Sequence, residues 1–291
     1  MPGSFTSKQL DVTFKLGRGA FGDNGADTVK LTGKRVACMI LKAGGQSMGE
    51  MQLRIWGLSL DVMNKLSTLG MVAQALRNNQ VQVEAGDSET GMAVVFTGTI
   101  TNAWADFQAM PDVSFHVSAL AGMYQAMKPV PPTSFAGGAD VGVIMSGLAS
   151  QMNLAFENNG VQARLPNPYF PGTAREQAAR VAEHAGIEWV IDLGTLAIWP
   201  RGQSRRGLIP RLTPSNGLIG YPTFTSNGIA VTAIYVPGIG FGGRIKVESS
   251  LKPANGEWIV RKLVYDLSSA LPKGNWLMYI EANPPGFAPV R

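Results

Sequence analysis

The chain predicts a mainly β protein with an α+β middle domain, and three observations carry that reading. Glycine and proline are abundant, at 35 and 18 of 291 residues, which favours many turns and opposes an all-helical fold. Short alternating or apolar runs fill both ends of the chain and are cut by Gly, Pro and Asn. Helical spacing with proper caps is concentrated between them. The expected divisions are residues 1–120, mostly β with one short helix; 121–202, a helix-and-strand insertion; and 203–291, a small antiparallel barrel or sandwich.

In the first part, strands are expected at 34–42, 51–57, 80–85, 92–104 and 113–119. Met51, Leu53 and Ile55 alternate with Gln52, Arg54 and Trp56, a period of two that buries one face. Residues 58–69 switch to helical spacing, with Ser59 as N-cap and Leu60, Met63 and Leu66 on one side. In the middle part, a Pro-rich junction at 128–134 precedes a helix capped by Asp140. Gly142 and Gly147 weaken that helix by roughly 1 kcal/mol each relative to Ala. Thr173 and Glu176 form a capping box, Gly186 stops the helix, and strands follow at 187–191 and 195–199. The linker RGQSRRG leads into the last part.

Apolar residues make up 45% and charged residues 15%, few charges for a free monomer's surface and in keeping with extensive burial against partners. The net charge is +5, unevenly placed. No acidic residue occurs in 193–247, a stretch that holds Arg201, Arg205, Arg206, Arg211, Arg244 and Lys246. Four arginines within 201–211 repel one another in isolation. Acidic groups or carbonyls of a partner would offset that repulsion through forked hydrogen bonds, so Arg201, Arg205, Arg206 and Arg211 are expected at a domain junction, in contact with a neighbouring subunit or partner. No aromatic stacking platform accompanies them.

The single cysteine, Cys38, lies in the apolar run VACMIL and reads as core; cytosolic folding follows. No signal-like N-terminal segment is read, and no stretch approaches the roughly 18 consecutive apolar residues that span a bilayer. Residues 16–22, LGRGAFG, match G-x-G-x-x-G at Gly17, Gly19 and Gly22, with Lys42 following in a strand-like run. That imitates a kinase's glycine loop and lysine, but the Asp and Asn residues needed for the base and magnesium have no matching segment. The glycines read instead as a loop between two strands. His116 and His184 read as structural, and Glu84, Asp87 and Glu89 as a solvated turn. No catalytic, cofactor or metal residue is assigned.

The last part has a distinctive order: a GYP turn, an apolar strand with a Pro-Gly break, a strand ending in VESS, an NGEW hairpin, a strand ending in YDLSS, and a strand around Trp276. With the QLRIWGLS strand and helix of the first part and the hairpin IEWVIDLGTLAIWPRG of the middle, the layout resembles that of baseplate hub proteins of contractile-tailed phages. The resemblance implies two tube-like β-barrels per chain flanking the insertion. It implies a homotrimer whose pseudo-sixfold ring joins the tail tube, or its initiator proteins, to the central spike. The tape-measure protein would be a further neighbour, and DNA only a passing cargo. The chain would be made in the host bacterial cytoplasm and reside in the tail baseplate, without enzymatic activity or membrane contact. Three other readings stay open: a subunit of a related bacteriocin or injection machine, a carbohydrate- or surface-binding module using Trp258 and Trp276, and an enzyme with a composite site that no motif marks.

Overall fold

The structure is a computed structural model that describes residues 6–22, 25–67 and 78–287. Strand β1 (Gln9–Lys15) buries Leu10, Val12 and Phe14 and pairs antiparallel with β2 (Thr28–Leu31) and β5 (Gln80–Asp87). The sequence reading omits β1 and β2, although the alternation of Leu10, Val12 and Phe14 is plain. The glycine-rich segment lies between them, with the Gly17 N–H donating to Asn79 Oδ1 at 3.0 Å. Next come β3 (Val36–Lys42) and β4 (Glu50–Trp56), with Met51, Leu53 and Ile55 inward. Helix α1 (Leu60–Leu66) is capped by Ser59, whose Oγ accepts the Val62 N–H, and buries Met63 and Leu66. Leu60 is exposed instead of buried. The expected residues 68–69 of this helix fall outside the described residues. A meander then joins β5, β6 (Gly91–Asp106) and β7 (Ser114–Leu120). Register shifts at Val83/Glu84 and Ile100/Asn102 bend the long β6.

The last part supplies β15 (Arg211–Leu212), β16 (Leu218–Thr225), β17 (Gly228–Ile234), β18 (Arg244–Val247), β19 (Gly256–Ser269) and β20 (Trp276–Asn283). β19 decides the architecture. One of its edges pairs with β20; the other is shared, with β18 taking its start and β3 taking Leu263 onward. Across this seam Leu263 faces Lys42, Tyr265 faces Ile40 and Leu267 faces Cys38. All six side chains are buried on one face, so the two alternations continue each other. The first and last parts therefore share one 13-stranded sheet and one hydrophobic core. Its main path runs from β16 to β2, and no closed barrel forms among the described strands. The sequence suggests separate units because each meander is locally complete; the cross-pairing depends on the 14-residue length of β19. Cys38 sits in that seam, where burial pushes its thiol pKa up and leaves it inert.

Between the two parts come α2 (Met123–Met127), β8 (Thr133–Ser134), β9 (Gly138–Asp140), α3 (Val141–Gln151), β10 (Ala155–Asn158), β11 (Arg164–Pro166), β12 (Tyr169–Phe170), α4 (Ala174–Ala185), β13 (Ile187–Asp192) and β14 (Thr195–Pro200). β13 and β14 form a hairpin, and β10 lies parallel to β14. Helices α3 and α4 cover this sheet around Ile144, Leu148, Val181, Trp189 and Ile198. Asp140 caps α3, its Oδ1 accepting the Val143 N–H at 3.2 Å. Gly142 is a packing requirement as well as a propensity cost: a Cβ there would lie 2.9 Å from Asn158 Nδ2. In α4 the Thr173 N–H donates to Glu176 Oε2 at 2.9 Å, the Glu176 N–H returns the bond to Thr173 Oγ1, and Gly186 ends the helix at φ 62°. Thr173→Ala is expected to lower stability by about 0.5–2 kcal/mol. Urea unfolding of the purified chain checks this; loss of assembly without loss of stability would make Thr173 an interface residue instead.

Candidate functional site

All three parts of the chain meet at one junction, built from the β3–β4 loop, the β13–β14 hairpin, the linker after β14 and the loop before β18. The last loop, PGIGFGG, is cut to fit by its neighbours. A Cβ on Gly44 would sit 2.1 Å from the Phe241 ring, and one on Gly242 would sit 2.6 Å from Trp199. Phe241 therefore packs on Gly44 and on Trp199, which is wholly buried beside Val190 and Ala197.

Charged groups lock this apolar contact. Lys42, 4% exposed, places Nζ 2.5 Å from Asp192 Oδ1, tying β3 to β13. The lysine that imitates a kinase residue is thus half of a buried ion pair. A register shift between Val260 and Lys262 leaves Arg261 outside the regular ladder of β19, and its guanidinium pairs with Glu188. Glu188 also accepts the Trp199 Nε1–H at 2.5 Å. Arg175 donates to the Gln46 carbonyl at 3.0 Å and lies over the Trp189 ring, 5.0 Å from its centre; burial pushes its pKa down. The network is incomplete: Arg175 Nε and Arg261 Nε and Nη2 are buried without acceptors among the described residues.

The four arginines singled out in the sequence divide into two kinds. Arg205 forks onto Glu157 at 3.2 and 2.7 Å, and its N–H donates to the Gly242 carbonyl at 2.8 Å. The Arg205 guanidinium holds the Glu157 carboxyl below its usual range. Arg211 pairs with Glu248. The Arg206 N–H donates to Asn159 Oδ1 at 2.8 Å, but its exposed guanidinium, like that of Arg201, has no acidic partner among the described residues. Sequence reading misses Glu157, 48 residues from Arg205, because no local pattern announces the pair.

Among the described residues, one Ser/His/Asp grouping lacks the geometry of a catalytic relay. Ser114, His116 and Asp106 come together, but the same atom, His116 Nε2, faces Ser114 Oγ at 3.2 Å and Asp106 at 3.9 Å. A relay needs the nucleophile and the orienting carboxylate on different nitrogens of the imidazole base. His116 stacks on Trp104, 4.9 Å between centres, and burial and Arg54 lower its pKa against the pull of Asp106. The His184 Nδ1–H donates to the Arg180 carbonyl at 2.8 Å, and the ring meets the edge of Phe170. No cluster of His, Cys, Asp and Glu among the described residues has metal-binding geometry. No described helix is long and apolar enough to cross a membrane. Trp258 and Trp276 are half-buried; the Trp258 indole N–H donates to the Ala254 carbonyl, and Trp276 meets the edge of Tyr235.

The expectation of a solvated turn holds for Glu89 but not for Glu84, which is half-buried in β5, nor for Asp87. Glu89 is exposed and Glu84 bonds Lys30, but Asp87 is buried. Lys8 Nζ lies 2.6 Å from its Oδ2, and the N–H groups of Glu89 and Thr90 donate to Oδ1. Lys8 chiefly, then the Thr90 N–H, hold its pKa well below the ordinary 3.8. The stability it contributes is complete above that unfolded value and is lost as pH falls below it. Asp87→Asn is expected to flatten the acid limb of a stability-versus-pH curve; an unchanged limb would contradict this.

Comparison with known proteins places this architecture. No curated protein sequence matches. The fold is similar to that of a 43 kDa tail protein of prophage MuSo2 from Shewanella oneidensis, at TM-score 0.61 and 12% identity, covering 94% of this chain and 97% of that one. It is similar to a tail protein from Neisseria meningitidis MC58, at TM-score 0.62 and 11% identity, covering 95% and 97%. It is also similar to an E. coli component of the type VI secretion system, at TM-score 0.59 and 9% identity, covering 88% and 76%. The family model described as Baseplate hub gp41 matches residues 9–273, nearly the whole chain, and the chain therefore belongs to the baseplate hub family.

Proposed function

We propose that the chain is a non-catalytic hub, three copies of which form a pseudo-sixfold ring between the tail tube and the central spike. The observation that carries this reading is the match of the hub family model to residues 9–273. The single sheet that fuses the first and last parts supports it, since a hub must transmit load across its own chain. β16 and β2 end the main sheet path, and each pairs with one neighbour only, so a ring of copies can cover both edges. The two β regions correspond on this reading to two tube-like units, 1–120 and 203–291, around the insertion 121–202. The exposed guanidinium groups of Arg201 and Arg206 are the outward contacts, while Arg205 ties down the linker that presents them. Tube or tube-initiator proteins and the spike are the expected partners in the virion tail.

The likeness to a type VI secretion component favours one second reading, a hub of a related injection machine. Sheath and tube proteins that copurify with the chain, together with packaged DNA, distinguish a phage tail from such a machine. Mass measurement of the native complex tests the ring: three copies are expected, and six copies or a single copy per tail contradict it.

A further inference from the structure

The junction holds a cavity of about 380 Å³. Its rim carries aliphatic side chains from three parts of the chain: Val94 of β6, Leu193 of the β13–β14 turn and Leu208 of the linker. Leu208 is 94% exposed and Leu193 43%. Leu193 holds its position at φ 49°, a left-handed conformation that a bulky side chain adopts only at a cost. Arg206, which has no acidic partner among the described residues, also lines the cavity. Apolar rim, unpaired cation and cavity together call for an occupant that presents apolar side chains next to a carboxylate.

The same chain carries such a segment. The loop 106–112 between β6 and β7, DFQAMPD, exposes Phe107 and Met110, the latter 72% exposed, and places Asp112 beside them. The loop is already shaped: the Gln108 N–H donates to Asp106 Oδ1 at 2.9 Å and the Asp112 N–H to the Ala109 carbonyl at 2.8 Å. Arg35 contacts one oxygen of Asp112 at 3.1 Å. The loop and the cavity sit at opposite ends of β6. At roughly 3.3 Å per residue, Val94 and the start of the loop are about 40 Å apart along the strand. A loop so placed does not reach the cavity of its own chain.

We propose that the 106–112 loop of one copy docks into the junction cavity of the next, with Phe107 and Met110 on the aliphatic rim and Asp112 facing Arg206. Two different patches meet in such a head-to-tail contact, and repeated around an axis it closes a ring. This inference rests on the reading of the chain as a ring-forming hub and names the contact that closes the ring.

The test uses the full chain assembled in tails. The single native cysteine, Cys38, is buried, so a chain carrying Met110→Cys and Leu208→Cys reports on this contact alone. Mild oxidation is expected to yield covalent oligomers that reduction returns to single chains, while each single variant yields none above a dimer. Arg206→Glu is expected to weaken association by roughly tenfold or more, and Asp112→Arg added to it to restore most of the loss. Thermal unfolding of each variant checks that the fold survives. Absence of the cross-link in particles shown by mass to contain the ring overturns the contact and leaves the hub reading standing. Absence of the chain from tails altogether overturns the hub reading itself. A double variant no better than Arg206→Glu overturns the pairing of Asp112 with Arg206.

Discussion

Lys42→Ala is expected to destabilise the chain by about 3–5 kcal/mol, the loss typical of removing one partner of a buried ion pair. Lys42 is 4% exposed and sits 2.5 Å from Asp192, whose side chain is also largely buried. Removing the ammonium group leaves a carboxylate with little access to water. Most of the loss is that uncompensated charge, so a second change should recover it: Lys42→Met combined with Asp192→Leu is expected to approach the original stability. Urea unfolding of the three chains measures this. A loss under about 1 kcal/mol in Lys42→Ala would mean that the pair is solvated and does not join β3 to β13. The role assigned to Lys42 is mechanical, so neither Lys42→Ala nor Gly19→Ala should alter phosphoryl transfer; nucleotide turnover abolished by Lys42→Ala would restore the kinase reading.

Trp199→Ala is expected to cost about 3–5 kcal/mol, the range for emptying a buried aromatic site. Trp199 is wholly buried, and its loss removes the surface on which Phe241 packs and a donor to Glu188. The loop carrying Phe241 should then loosen from Gly44, seen as faster proteolytic cleavage between β17 and β18. Trp199→Phe keeps much of the volume and loses only the N–H, so its effect should be smaller. Equal losses in the two variants would show that the Glu188 bond, and not packing, holds the loop.

The elements most legible in the sequence are those governed by neighbours in the chain. Ser59, Asp140, Thr173 with Glu176, and Gly186 each act where local chemistry puts them, because a cap is decided within four residues. The alternation of Met51, Leu53 and Ile55 likewise reads directly as a buried face. The joint between first and last parts was not legible, since nothing near Leu263 or Lys42 specifies that they pair across the sheet. The same holds for the site. The cluster Arg201, Arg205, Arg206 and Arg211 stands out as charge, but the division between paired and unpaired groups depends on Glu157 and Glu248. Glu188 gave no signal at all, because its meaning comes from an arginine on a bulge in another part of the chain. Two signals in the sequence bear on the junction: the glycine spacing of PGIGFGG, which marks close approach, and the leucine of DLGT, where Asn or Asp is the usual turn residue.

On the proposed reading this chain closes a ring at the joint between tube and spike. An averaged electron-microscopic reconstruction of the native tail, with the chain located by a fused tag, tests it most directly. Three tags per tail are expected around one axis, at the end of the tube next to the spike. Six tags, a single tag, or tags along the length of the tube would contradict it.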